Sequence, residues 1–168
     1  GTFEGVLSAI FEAYNDKNAE IVAPEHNENS SLYNESRVQT SPEHALRVQR
    51  GLEKLSRGVP ARFYRAWLSH DRNAENLMLA VARLGFAEGC DPFAMRGHDA
   101  VCRLDALARK VSVEQERMLQ FVRFVRLGER EFAADIEPQY DVLPLIGAHF
   151  HKRFPDSRLL IRDLKRGS

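Results

Sequence analysis

The residues best suited to chemistry lie near the C-terminal end, around the stretch HFHKRFPD (149–156). His149 and Arg153 are one helical turn apart, and Glu137 and Asp141 flank a predicted strand-to-helix turn upstream. Glu137 and Asp141 could bind a metal or work as an acid–base pair, while His149 could serve as a general acid or base, or contact a phosphate beside Arg153. In the plainer alternative, His149 is a half-buried core histidine, Asp141 caps a helix and Glu137 is a turn residue. The candidate catalytic residues are therefore Glu137, Asp141, His149 and Arg153.

The spacing of the histidines and cysteines argues against a metal centre. His149 and His151 are at positions i and i+2, so on a helix their side chains point roughly 200° apart and cannot coordinate the same metal ion. Cys90 and Cys102 lack the C-x-x-C spacing of a zinc site. Four thiolates for an iron–sulfur cluster are absent. We predict no metal and no cofactor, and we expect both cysteines to be reduced and buried.

The cations are unevenly distributed, although the formal net charge is zero. Residues 45–65 carry six bases against Glu53, and residues 150–168 carry six against Asp156 and Asp163. If the two segments converge, they would form a patch for nucleic-acid backbone; otherwise they are solvated faces. The candidate nucleic-acid contacts are Arg47, Arg50, Lys54, Arg62, Arg65, Arg123, Lys152, Arg153, Arg162 and Lys165.

Composition and motifs exclude several classes of protein. An apolar share of 43% and a charged share of 29% are typical of a soluble globular protein. The apolar run at 77–86 is too short to span a bilayer, and no secretory signal is visible. Neither a glycine-rich phosphate loop nor a G-x-S-x-G motif occurs. We expect a cytoplasmic protein without a membrane contact.

Hydrophobic periodicity predicts an α+β fold, a mostly helical single domain over residues 1–168 with about six helices and a small sheet of two to four strands. A loop is predicted over 15–36, and Asp141 is predicted to cap the last helix. Residues 98–124 read as one helix or, with a break near 110–112, as two. The last strand is expected to be a buried apolar run. Because the chain opens into a helix and stops directly after a strand, we expect truncation at both ends. Helices are predicted over 3–14, 42–56, 60–70, 74–86, 98–124 and 142–154, and strands over 36–40, 130–138 and 157–164.

Four segments in order resemble a bacterial family of DNA metabolism or DNA repair proteins, a domain of unknown function. They are GTFEGVLSAIFEAY (1–14), TSPEHALRVQRGL (40–52), VSVEQERMLQFVRF (111–124) and IEPQYDVLPLIGAHFHKRFPDSRLLIRD (136–163). The last is the most specific, with the patterns E-P, D-x-L-P-L, H-F-x-x-R-F and I-x-D. The matching positions are Glu137, Pro138, Asp141, His149, Phe150, Arg153 and Asp163, with Arg123-Phe124.

The resemblance implies a role in DNA repair. Such proteins stand alone, encoded beside a radical-SAM DNA repair protein, or precede a uracil-DNA glycosylase-type domain. No catalytic residue is established for them, so none is carried over. The leading hypothesis is thus a non-catalytic accessory domain that binds nucleic-acid backbone or docks on the radical-SAM protein or the glycosylase domain. The alternative is an enzyme that acts on a nucleotide or modified base through the four candidate catalytic residues. A third hypothesis, a scaffold for the radical-SAM partner, predicts an exposed apolar patch and no DNA affinity.

Overall fold

The structure, a computed structural model, describes residues 1–22 and 36–168. These residues form six α-helices, a short 3₁₀ helix and one three-stranded sheet, which confirms the predicted α+β class. Most of the predicted loop at 15–36 lies outside the described residues. No helix in the described ranges is long and apolar enough to cross a membrane. The helices are α1 (Phe3–Ala13), α2 (Pro42–Leu55), α3 (Val59–Trp67), α4 (Ala74–Glu88), α5 (Asp99–Phe121) and α6 (Leu143–Arg153), and the strands are β1 (Val125–Arg126), β2 (Glu131–Ile136) and β3 (Arg158–Asp163).

The chain divides into two compact units, residues 1–108 and residues 109–168. The first unit is helical and is built on an apolar core to which every one of its α-helices contributes. Fully buried side chains of this core include Leu7, Leu52, Phe63, Met78 and Leu104. The second unit holds the C-terminal part of α5, the sheet and α6.

Local sequence signals set the helix ends of the first unit. The Thr2 hydroxyl accepts a hydrogen bond from the Gly5 N–H, and the Ser41 hydroxyl accepts one from His44 N–H at the start of α2. Pro42 occupies the first turn of α2, where its missing N–H leaves no partner unsatisfied. Gly89 ends α4 with a φ of 64°, a left-handed conformation that favours glycine. The predicted ends of α1, α2 and α4 are confirmed to within two residues, whereas α3 ends at Trp67, three residues before its predicted end.

A buried serine joins α1 to α2. The Ser8 hydroxyl oxygen accepts the Ser41 N–H at 3.1 Å, and its one hydrogen is shared between the carbonyl oxygens of Glu4 at 2.8 Å and Ser41 at 3.1 Å. The N–H of the α2 N-cap residue is therefore satisfied by Ser8, and its carbonyl also accepts the Ala45 N–H of the helix at 2.9 Å. This contact joins the start of α2 to α1.

The helix α5 runs unbroken for 23 residues, so the break considered near residues 110–112 does not occur. It ends at Phe121, three residues before the predicted end, and Val125 belongs to β1 instead of the helix. Periodicity alone could not show this, because the β1 residues are held by their pairing with β2 and not by local contacts.

The sheet has the order β1-β2-β3, with β1 antiparallel and β3 parallel to β2. The helix α6 forms the crossover between the parallel strands and packs on one face of the sheet through Ile146 and Phe150. Ile136 of β2 and Ile161 of β3 point to that face. Residues of β2 and β3 at the alternate positions point to the opposite face.

Four local predictions are wrong. Residues 36–40 are exposed and form no strand, because no described strand pairs with them. Val142, not Asp141, is the N-cap position of α6, without a side-chain capping bond. Strand β3 is not a buried run: its burial alternates because only one face contacts α6, and Leu160 is 53% exposed. Cys90 and Cys102 are both exposed, the first in the turn after α4 and the second on the outer side of α5.

Candidate functional site

A row of cations runs along the outer face of α2. Arg47, Arg50 and Lys54 are separated by three and four residues, which places them on one side of a helix. All three are exposed, while Val48 and Leu52 turn the opposite side of α2 to the core. The row spans about 10 Å along the helix axis, from the helical rise of 1.5 Å per residue. A shallow, open depression of about 550 Å³ is lined by Arg50, Glu53, Lys54 and Arg57.

Among the residues that the structure describes, carboxylates do not form ion pairs with the cations of this α2 row. Within residues 1–22 and 36–168, no ion pair involves Arg47, Arg50 or Lys54. Glu53 accepts a hydrogen bond from the Gln49 side chain at 3.0 Å. The Arg47 guanidinium lies 5.4 Å from the centre of the Phe11 ring, a contact that orients it without neutralising it. The α2 row thus presents three exposed cations that no described carboxylate pairs with.

The two arginines of α3 are engaged within the first unit. Arg62 lies 4.5 Å over the Phe93 ring, with its Nε atom 3.8 Å from an Asp105 carboxylate oxygen. Arg65 donates from Nη1 to the Ala61 carbonyl at 3.3 Å. Both side chains are half-buried. As nucleic-acid contacts they are therefore less available than the α2 row.

The basic candidates of the second unit differ in their surroundings. Arg123, Lys152 and Arg153 are exposed. Arg162 instead donates two hydrogen bonds of 2.7 Å to Asp135, which hold the pKa of that carboxyl below its ordinary value and raise the pKa of Arg162. The Lys165 ammonium lies 3.5 Å from the Gln139 carbonyl oxygen. The convergence of the two basic segments stays a prediction.

The four candidate catalytic residues are spread along α6 and the turn before it. Glu137 is exposed and Asp141 is half-buried before the helix, whereas Arg153 is its last residue. From the helical rise, Asp141 and Arg153 are about 15 Å or more apart along the axis. Only His149 and Arg153 share a face, at positions i and i+4. The described ranges contain no group of three or more His, Cys, Asp or Glu side chains that could hold a metal ion.

His149 is exposed, so the prediction that it is half-buried is wrong. The apolar stripe of α6 follows Ile146 and Phe150, and His149 lies about 100° away from Phe150 around the helix. Its ring meets the Phe150 ring edge-on, with the centroids 5.3 Å apart. In the same stretch His151 and Lys152 are exposed and Phe154 is half-buried.

Asp163, the aspartate of the I-x-D pattern, is a buried carboxylate that holds the end of the second unit through hydrogen bonds. Asp163 is fully buried, and its Oδ1 atom accepts the backbone N–H groups of Lys165 and Arg166 at 3.0 and 3.2 Å. Its Oδ2 atom accepts a hydrogen bond of 2.7 Å from Nη1 of Arg166. That guanidinium also donates to the carbonyls of Pro138 and Gln139, at 3.2 and 2.8 Å.

The turn between β2 and α6 is held from a second side by Glu114 of α5. This buried carboxylate accepts the Gln139 N–H at 2.9 Å, and Pro138 is buried beside it. Sequence reasoning missed Glu114, although it lies between apolar positions of the predicted helix. The residues of the E-P and I-x-D patterns therefore meet in the structure. Asp163 holds Arg166, and Arg166 holds the turn at Pro138 and Gln139.

A comparison with protein families finds a domain of unknown function, DUF4130, over residues 72–168, which is more than half of the chain. The match covers α4, α5, α6 and the sheet, whereas α2 and its basic row precede it. No curated protein and no solved structure matches the chain.

Proposed function

We propose that this chain, which belongs to the DUF4130 family, is a non-catalytic accessory domain that binds the sugar-phosphate backbone of DNA through the α2 row. The observation that carries the proposal is the set of three exposed cations, Arg47, Arg50 and Lys54, which no ion pair among the described residues engages. Cations on one helix face match the repeated charges of a phosphate backbone.

The proposed binding is independent of base sequence. Contacts to phosphate fix the position of a protein on DNA, whereas sequence is read by contacts to base edges. The α2 row ends in long, flexible side chains suited to phosphates. Arg47, Arg50 and Lys54 would therefore hold DNA of any sequence, with an affinity that falls steeply as salt is added.

The proposed setting is DNA repair, and it rests on the sequence resemblance described above. In that setting the domain acts beside a radical-SAM repair protein or a uracil-DNA glycosylase-type domain, which supplies the chemistry. The spread of Glu137, Asp141, His149 and Arg153 along α6 supports the non-catalytic assignment, because general acid–base catalysis needs its groups within hydrogen-bond reach of one reacting atom.

The test compares DNA binding by three proteins, followed by the fluorescence anisotropy of short labelled single-stranded and duplex DNA. They are the wild type, the triple variant Arg47→Gln/Arg50→Gln/Lys54→Gln, and a control. The control Arg103→Gln/Lys110→Gln/Arg117→Gln removes the same charge from exposed positions of α5. At about 50 mM salt, we expect the α2 variant to lose affinity on the order of 10- to 100-fold and the control to lose little.

Two results would refute the proposal. If the wild type binds neither form of DNA at low salt, the protein has no affinity for the backbone. If the α5 control loses as much affinity as the α2 variant, binding reflects total charge and not the α2 row.

A further inference from the structure

The sheet has one face that no described element covers. The register aligns Val125 of β1, Ala133 of β2 and Leu160 of β3 in one row across the strands. Directly paired residues point to the same side of a sheet. Since Ile136 and Ile161 point to α6, this row points away from it. The outer face consists of Val125 and Leu127 on β1 and its extension, Glu131, Ala133 and Asp135 on β2, and Arg158, Leu160 and Arg162 on β3.

The apolar residues of this outer face are exposed to an unusual degree. Val125 and Leu127 are each 65% exposed, and Leu160 is 53% exposed. Leu164, which continues the alternation of β3, is 50% exposed. Exposed apolar patches on a sheet face mark interaction surfaces. The outer face therefore has the character of an interface.

Charges on the outer face are arranged in two columns. The carboxylates of Glu131 and Asp135 lie on β2, and the guanidinium groups of Arg158 and Arg162 lie on β3. Within the chain they pair across the strands, Arg158 with Glu131 at 3.2 Å and Arg162 with Asp135 at 2.7 Å. All four side chains remain 44% or more exposed, so each can face a second partner. Between the two ion pairs lies the apolar contact of Ala133 with Leu160.

We infer that the outer face docks a second copy of this chain, with β2 of each copy lying over β3 of the other. A two-fold axis that runs parallel to the strands, midway between β2 and β3, places each cross-strand pair of residues over the same pair of the second copy. It brings Glu131 opposite Arg158 of the second copy and Asp135 opposite Arg162 of the second copy. The small Ala133 side chain then receives Leu160 of the second copy. Packing with nearly aligned strands is a common arrangement of two sheets.

The charge pattern favours a two-fold axis parallel to the strands over a two-fold axis that runs across the strands. A two-fold axis across the strands would place Glu131 opposite Asp135 of the second copy and Arg158 opposite Arg162 of the second copy. Like charges in direct contact oppose association. With the axis along the strands, each ion pair instead becomes half of an alternating square of four charges, and the two squares flank a central apolar contact.

The outer face is small, because it spans three strands. Interfaces of this size form weak, reversible complexes. We therefore expect sedimentation velocity to show a monomer at about 10 µM and a growing dimer fraction towards about 1 mM.

The test uses two charge-reversal variants, each of which should not dimerise alone but which should dimerise with each other when mixed. In Asp135→Arg, two arginines would meet across the interface, and in Arg162→Asp two carboxylates would meet. Each variant alone should stay monomeric at concentrations where the wild type dimerises. An equimolar mixture of the two should form a heterodimer, since each introduced charge then meets its opposite in the other chain. Restored association also shows that both variants are folded. A control reversal at an exposed position of α5, Glu116→Arg, should dimerise like the wild type.

Three outcomes would overturn the inference. They are a wild type that is monomeric throughout the concentration range, single variants that dimerise as the wild type does, and a mixture that stays monomeric while the wild type dimerises. The last outcome would place the dimer contact elsewhere on the chain.

Discussion

Arg166 donates a hydrogen bond of 2.7 Å to the carboxylate of Asp163, a side chain with no exposed surface. The same guanidinium reaches back to the turn at Pro138 and Gln139. The aspartate therefore fixes an arginine that in turn fixes the approach to α6. This relationship gives the I-x-D pattern a structural explanation and needs no catalytic one.

The Asp163→Ala substitution should lower the free energy of unfolding by about 3 kcal/mol, because it leaves the Arg166 guanidinium and two backbone N–H groups without their acceptor. Urea denaturation followed by circular dichroism measures the change. Asp156→Ala, at an exposed position seven residues earlier, serves as the control and should cost less than about 0.5 kcal/mol. Equal losses in the two variants would show that the Asp163 contacts do not stabilise the fold.

Glu114 allows a test that separates hydrogen bonding from charge. Glu114→Gln keeps a side-chain oxygen that can accept the Gln139 N–H, whereas Glu114→Ala removes it. We expect the alanine variant to lose about 1–3 kcal/mol of unfolding free energy and the glutamine variant less than about 1 kcal/mol. If glutamine costs as much as alanine in chemical denaturation, the carboxylate charge is what matters and the hydrogen-bond account is wrong.

Two helical glycines should respond in opposite directions to replacement by alanine. A Cβ atom at Gly85 of α4 would lie 2.7 Å from Leu55 Cδ1 and 3.2 Å from Pro92 Cδ, so Gly85→Ala should destabilise by about 1–3 kcal/mol. A Cβ atom at Gly147 of α6 meets nothing within 4 Å, so Gly147→Ala should stabilise by about 0.5–1 kcal/mol. Thermal unfolding of both variants checks the pair. A stabilising Gly85→Ala would mean that α4 packs less closely than described.

The Asp135–Arg162 ion pair should make a small contribution to stability that disappears in acid. Because Arg162 lowers the folded-state pKa of Asp135, the contribution is complete above the unfolded-state pKa and is lost as pH falls through the lower folded-state value. The melting temperature of the wild type should therefore exceed that of Asp135→Asn slightly at pH 7, and the difference should shrink below about pH 4. A difference that grows in acid would contradict the sign of this linkage.

Local signals in the sequence predicted most of the helical part of the fold. Ser41 and Pro42 at the start of α2 and Gly89 at the end of α4 are local signals of this kind, because caps and left-handed turns depend on neighbouring residues alone. The features that sequence did not predict depend on distant partners. Strand β1 exists through its pairing with β2, and the exposure of Leu160 depends on which face of the sheet α6 covers.

For the candidate site, too, the sequence predicted the features that depend on local spacing and missed those that depend on distant partners. The spacing of Arg47, Arg50 and Lys54 shows in the sequence that they share one helix face. That Arg62 and Arg162 are engaged by Asp105 and Asp135 could not be seen, since those partners lie far along the chain. For the same reason the burial of Asp163 required the structure.

The salt dependence of DNA binding tests the central claim most directly. The logarithm of the binding constant should fall linearly with the logarithm of salt concentration, with a slope set by the number of phosphates contacted. Neutralising Arg47, Arg50 and Lys54 together should make that slope shallower by about 2 to 3, while the α5 control variant keeps the wild-type slope. An α2 variant with the wild-type slope would show that these cations do not contact phosphate and would contradict the proposed function.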